Sequence, residues 1–185
     1  MAAKTNVNPA LIKYSSEKKW YVLYVKSRTE KKVLERMEKF QYEVFLPLIK
    51  TMRQWSDRRK QVLVPLFNGY MFAHISPDDF TGIRMIEGVV NFVSVEGKYA
   101  TIRNEQIETI RTFIETGYHM ESVAGDFAPG EKVKITFGPL KDCEGELLDV
   151  QNEKHFIVRI DAINQILKVS VPANYLQKVK VVNGE

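Results

Sequence analysis

The spacing of apolar positions alternates between a period of two and a period near 3.6 through residues 20–117, then stays near two to the end of the chain. "WYVLYV", Trp20 to Val25, is an aromatic and β-branched run bounded by charges, the pattern of a buried strand. "SRTEKKVLERMEKFQ" follows, with Val33, Leu34, Met37 and Phe40 at helical spacing and Ser27 three residues before Glu30 as a capping box. "EVFLPLIKTMRQW" and "QVLVPLF" read as strands joined by the basic tip "SDRRK". "YMFAHI" is a further strand. "SPDDF" then opens a helix, with Ser76 as N-cap, Pro77 at the first helical position and two acids in the first turn. "GVVNFVSV" returns as a strand. "NEQIETIRTFIETG" places Ile107, Ile110, Phe113 and Ile114 on one helical face and stops at Gly117.

Beyond residue 117 the helical period disappears. "EKVKITF" alternates, with Val133, Ile135 and Phe137 on one side. A "GP" turn at 138–139 is followed by the short strands "GELLDV", "HFIVRI" and "QILKVSV". Short strands at roughly ten-residue spacing predict a small β-barrel, whose thin core requires tight closure. The expected organisation is a polar tail at 1–19, an α+β domain at 20–117, a linker at 118–127, a barrel domain at 128–180 and a short tail at 181–185.

Charge changes the picture more than composition does. The net +4 divides into +9 over residues 1–60 and −5 over residues 61–185. A basic end on a near-neutral body suits a polyanion, and equally suits a solvated surface that aids solubility. On the first helix Arg28, Lys32, Arg36 and Lys39 fall within about 80° of arc at 3.6 residues per turn, opposite the apolar stripe. Glu35 dilutes that stripe. Arg53, Arg58, Arg59 and Lys60 form a second basic group on the hairpin with Trp55, a combination in which cations track phosphates and a ring stacks a base.

Catalytic inventory is poor. His74, His119 and His155 are scattered, the one cysteine, Cys143, lies in a Gly-rich turn, and no metal-ligand spacing or phosphate loop occurs. Asp78 and Asp79 are explained by the helix dipole. No enzyme, metal or cofactor is expected. No run reaches the roughly 20 apolar residues of a membrane helix, and a single thiol suits a reducing cytoplasm.

The ordered set "WYVLYVKSRTEKKV", "PLFNGYMFAHISP", "GVVNFVSV" and "FAPGEKVKITFGPLKDCEGELLDV" resembles the bacterial NusG family of transcription elongation factors over residues 20–180. The resemblance implies an N-terminal NGN domain, an antiparallel sheet flanked by helices, and an SH3-like KOW barrel. "LYVKSRTEKK", "WSDRRK" and "FNGY" are most similar to specialised paralogues, the RfaH-like antiterminators and the UpxY-type regulators of capsular polysaccharide loci. Asn68 stands where the family carries proline.

The resemblance also implies partners and sites. Tyr24, Phe67, Gly69, Tyr70 and Phe72 correspond to the surface that holds the clamp helices of the RNA polymerase largest subunit, with Gly69 letting a partner backbone approach. Lys26, Lys32 and Arg36 correspond to contacts with non-template DNA, although a DNA-contacting arginine of that group falls at Glu87. Of the "DFTG" segment only Thr81 keeps the character of a second polymerase contact. The barrel loop "DAINQ" offers Ile163 and Asn164 to a partner, a small-subunit ribosomal protein or Rho. The expected protein is a cytoplasmic monomer that suppresses pausing and termination at particular operons. The alternatives are a housekeeping NusG acting with Rho and a ribosome-associated KOW protein that binds RNA.

Overall fold

The computed structural model describes residues 17–54, 59–125, 130–138, 140–150 and 153–179. Its first module contains β1 (Lys19–Val25), α1 (Glu30–Lys39), β2 (Glu43–Phe45), β3 (Leu48–Gln54), β4 (Arg59–Pro65) and β5 (Tyr70–Ile75). A 3-10 turn at Pro77–Asp79 leads into α2 (Phe80–Arg84), followed by β6 (Val89–Phe92), β7 (Ser94–Val95), β8 (Lys98–Tyr99), β9 (Thr101–Ile102) and α3 (Asn104–Thr116). The central sheet runs β2-β5-β1-β6, with β9 also on β1, and its ladders are antiparallel.

β1 lies inside this sheet with helices packed on both faces, which is why it is apolar on both. Tyr21, Leu23 and Val25 pack with Met71, Ala73 and Ile75 of β5 against Val33 and Met37 of α1 and Ile83 of α2. Trp20 and Val22 face the other way, with Phe72, toward Ile107, Ile110 and Phe113 of α3. Each fully buried side chain of this size contributes about 1.5–3 kcal/mol, so both faces are needed. Trp20 Nε1 donates to Asn104 Oδ1 at 3.2 Å, and the Arg111 guanidinium lies over the rings of Trp20 and Phe45 at 5.8 and 4.7 Å. α3 ends at Gly117 with φ +68°, the expected left-handed stop.

Three local expectations are corrected. The capping box at Ser27 does not form: Thr29 is the N-cap of α1, and the Glu30 carboxylate turns elsewhere. Phe40, placed by periodicity on the apolar face, is the C-cap and is 68% exposed, because the helix ends before the stripe comes round to it. The first hairpin strand breaks at Leu46-Pro47. Only β2 joins the main sheet, and β3 pairs with β4 as a separate ribbon. At the next helix start the reading was right, since Ser76 and Asp79 form a reciprocal capping box.

The second module comprises β10 (Met120–Ala124), β11 (Glu131–Ile135), β12 (Glu144–Val150), β13 (Glu153–Ile160), β14 (Gln165–Val169) and β15 (Leu176–Lys178). Its antiparallel sheet has the order β10-β14-β13-β12-β11-β15, curled around Val133, Ile135, Phe156, Val158, Ile160 and Leu167. The expected closed barrel is not closed among the described residues: β10 and β15 stand at opposite ends with no ladder between them. β10 comes from the segment read as linker and takes the outer edge of β14 over five residue pairs, while β15 pairs only with β11. Phe137 lies beyond the end of β11, 64% exposed, with its ring edge-on to Tyr175, so the alternation stops at Ile135. The modules touch where the Phe113 and Phe156 rings meet and where Gln106 Nε2 donates to the Arg159 carbonyl at 3.0 Å.

Candidate functional site

Strand pairing of β1 with β5 lines up three cross-strand pairs on one face of the central sheet, two of them pairs of rings. Trp20 lies opposite His74, Val22 opposite Phe72 and Tyr24 opposite Tyr70. At one end Trp20, buried against α3, stacks on the half-buried His74 at 5.1 Å, and His74 Nδ1 meets Glu43 Oε2 at 2.7 Å. At the other end the rings of Tyr24 and Tyr70 meet at 5.5 Å, with Tyr24 45% exposed and Tyr70 half-buried. Leu63 of β4 is also 45% exposed, and Lys31 Nζ of α1 donates to its carbonyl at 2.8 Å, tying the ribbon to the helix.

The five residues expected to hold a partner therefore separate by depth. Tyr24 and Tyr70 offer surface. Phe67 and Phe72 do not: both are 0% exposed and meet edge to face at 6.1 Å in the core, so no partner reaches them in this structure. Gly69 is buried with φ +78°, and a Cβ there would stand 3.2 Å from the Tyr24 ring. The left-handed backbone there shapes the turn that Tyr70 N–H closes on the Phe67 carbonyl. Asn68, at the departure from proline, is exposed.

The basic residues are less gathered than the helical wheel implied. Lys32 and Arg36 are on α1, but Arg28 precedes the helix in a turn with φ +67°, so it is not part of the helical stripe. Lys26 is exposed just after β1. Arg36 is held by Glu87, with an ion pair of 2.6 Å and a further bond to the Glu87 carbonyl, so an acid neutralises the middle of the basic face. On the ribbon, Arg53, Arg59 and Lys60 are exposed, and Arg59 Nε donates to Gln54 Oε1 at 2.9 Å. Trp55 and Arg58 lie outside the described residues. Thr81 is exposed on α2.

In the second module Ile163 is corrected from contact to core: it is 8% exposed, closes a 3-10 turn and packs into the buried cluster inside the curled sheet. Asn164, next to it, is exposed with φ +48°, a left-handed corner that asparagine tolerates. Glu146 and Arg159 pair across β12 and β13: Arg159 Nε donates to Oε1 at 3.2 Å and its terminal nitrogen to Oε2 at 2.9 Å. The Arg159 hydrogen bonds hold the Glu146 carboxyl below its usual range, aided by the Gly130 N–H. Burial pushes the Cys143 thiol up, away from nucleophilic thiolate. Among the described residues no group of histidine, cysteine and acids could hold a metal, and no helix is long and apolar enough to cross a membrane.

Two side chains of this site were missed from sequence. Glu30, read as half of a capping box, instead accepts the Gly69 N–H. Leu63, one alternate position in a ribbon, is an exposed apolar side chain whose carbonyl is tied to Lys31 of α1. Only its place in a two-faced strand could have pointed to it.

Residues 18–111 match the family model described as Transcription termination factor nusG. The transcription termination/antitermination protein NusG of Haemophilus influenzae is 26% identical over 151 residues, covering 75% of this chain and 82% of that protein. Its namesake in Staphylococcus aureus is 22% identical over 175 residues, covering 88% and 96%. A solved structure of Thermotoga maritima NusG aligns at 22% identity with a TM-score of 0.49, covering 88% of this chain and 98% of that one.

Proposed function

The chain belongs to the NusG family of transcription termination factors, a family of transcription proteins and not of enzymes, and from that premise we propose that it binds RNA polymerase through the Tyr24–Tyr70 surface and suppresses pausing. The observation that supports this reading is the cross-strand tyrosine pair, Tyr24 45% exposed and Tyr70 half-buried, beside the sealed rings of Phe67 and Phe72. A pair of tyrosine rings partly open to solvent is the kind of anchor that dominates small protein interfaces. The partner is the clamp helices of the largest subunit. A ligand that binds only the closed clamp shifts the polymerase population away from the paused, open state.

Lys26, Lys32 and Arg36, with Arg53, Arg59 and Lys60 on the ribbon, contact the non-template strand, and Thr81 supplies a second polymerase contact. The barrel recruits a protein, Rho or a small-subunit ribosomal protein, at the loop that carries Asn164. The protein acts as a cytoplasmic, locus-specific antiterminator of the kind that serves capsular polysaccharide operons. A general role beside Rho is the second reading, favoured by the transcription termination/antitermination proteins NusG among its relatives. Chromatin immunoprecipitation separates the two: a few loci for the specialist, all transcribed genes for the general factor.

The test of the polymerase reading is capture of polymerase by the tagged full chain, with elongation assays beside it. Truncating a hot-spot ring costs about 2 kcal/mol, so Tyr70→Ala is expected to weaken capture about thirtyfold. Undiminished capture by Tyr70→Ala, or pausing unaltered by the native protein, refutes the reading.

A further inference from the structure

Glu30 is the one buried charged side chain among the described residues, 4% exposed. It opens α1, yet it does not cap the helix: no side-chain cap bond is formed there, and Thr29 Oγ1 donates instead to the Lys26 carbonyl. Its Oε1 reaches across the module and accepts the Gly69 N–H at 3.1 Å. The other peptide group of the same glycine is held as well, its carbonyl accepting the Val25 N–H at 2.8 Å. Tyr70 N–H returns to the Phe67 carbonyl at 3.2 Å and closes the turn. The left-handed Gly69 thus has both of its hydrogen-bonding groups fixed, and the next residue is Tyr70.

A carboxylate removed from water is costly unless its oxygens are satisfied. The positive end of α1 lowers that cost, since Glu30 occupies the first turn. A residue serving the dipole alone gains nothing from burial, because an exposed acid at the same position does the same. What burial provides is reach to the Gly69 amide.

We propose that Glu30 is the positioning residue of the tyrosine surface. Its carboxylate fixes the Phe67–Tyr70 turn, and through it the angle at which the Tyr70 and Tyr24 rings meet a partner. This rests on the polymerase reading above and extends it to a residue that no partner touches.

The test compares full-length wild type, Glu30→Gln, Glu30→Asp, Glu30→Ala and Tyr70→Ala for polymerase affinity, melting temperature and amide exchange at Gly69. Glu30→Gln keeps an acceptor oxygen at the same reach, while Glu30→Asp keeps the charge at the helix start but draws the oxygen back by one methylene. Loss of a hydrogen bond to a charged group predicts that Glu30→Asp and Glu30→Ala bind about tenfold more weakly and exchange Gly69 about tenfold faster, with Glu30→Gln within about threefold of wild type. Should Glu30→Ala fail to fold, the Glu30→Asp and Glu30→Gln pair carries the comparison. Equal weakening by Glu30→Gln and Glu30→Asp overturns the proposal, as does wild-type affinity in Glu30→Asp. If Tyr70→Ala loses polymerase while Glu30→Asp keeps it, only the role of Glu30 falls. If Tyr70→Ala keeps it, the surface itself is misassigned.

Discussion

Replacing Glu146 by glutamine should make the second module less stable at neutral pH and leave its stability in acid nearly unchanged. The carboxylate receives three donors, from Arg159 Nε at 3.2 Å, the Arg159 terminal nitrogen at 2.9 Å and the Gly130 N–H at 2.8 Å. The two side chains are 21% and 24% exposed, so water screens the pair only in part. Hydrogen bonds to charged groups contribute about 1.5–3 kcal/mol each, and the neutral amide keeps part of this network, which leaves a net loss of about 1.5 kcal/mol. For a unit of this size that corresponds to about 8 °C in melting temperature. The sign with pH follows from the lowered carboxyl pKa. Above the ordinary value of 4.5 the full contribution is present. As pH falls below it, the unfolded chain takes up the proton first, and the contribution fades through the lowered folded value. Circular dichroism melts of wild type and Glu146→Gln across the acid range read this as a gap that narrows with falling pH. A gap of the same size in strong acid, or none at neutrality, refutes the reasoning.

Gly145→Ala should cost about 1–3 kcal/mol by overpacking, since the new Cβ would lie 2.5 Å from both the Ile157 carbonyl oxygen and the Phe156 ring; urea midpoints measure it. Glu87→Gln removes the partner of Arg36 at a cost in stability below about 1 kcal/mol. It should also tighten single-stranded DNA binding and steepen its salt dependence by about one ion. Fluorescence anisotropy with no change in either would remove Arg36 from the DNA contacts. Ser122→Pro should detach β10 from β14 and lengthen the joint between the modules from Tyr118–His119 to residues 118–130, a reach of about 45 Å at 3.3–3.6 Å per residue. Solution scattering should then report a larger radius of gyration, and an unchanged one means that β10 does not set the joint.

What the sequence made legible follows from how local each signal is. α3 was readable to its last residue because the 3.6 period of Ile107, Ile110 and Phe113 and the Gly117 stop lie within one segment. β1 was readable because a strand with neighbours on both sides has no polar face to show. Depth was not readable. Tyr70 and Phe72 share a face of β5, and alternation treats them alike, yet one is half-buried and the other sealed. Phe72 is sealed by the rings of Phe45 and Phe67, whereas Tyr70 meets the exposed ring of Tyr24, and none of these partners lies on its own strand. β10 was missed for a similar reason: "MESVA" carries one buried apolar residue, Met120, and becomes a strand only because β14 offers it an edge. Glu30 is the sharpest case. Ser27 and Glu30 satisfy a local rule, but the Gly69 amide, 39 residues away, competes for the same carboxylate and wins. A short side-chain bond at a solvated helix start is weak, whereas an unsatisfied amide in a buried turn is expensive, so the distant partner prevails. The failure of a local pattern thus marks the spot where tertiary structure made the stronger demand, and here that spot lies directly beneath the tyrosine surface.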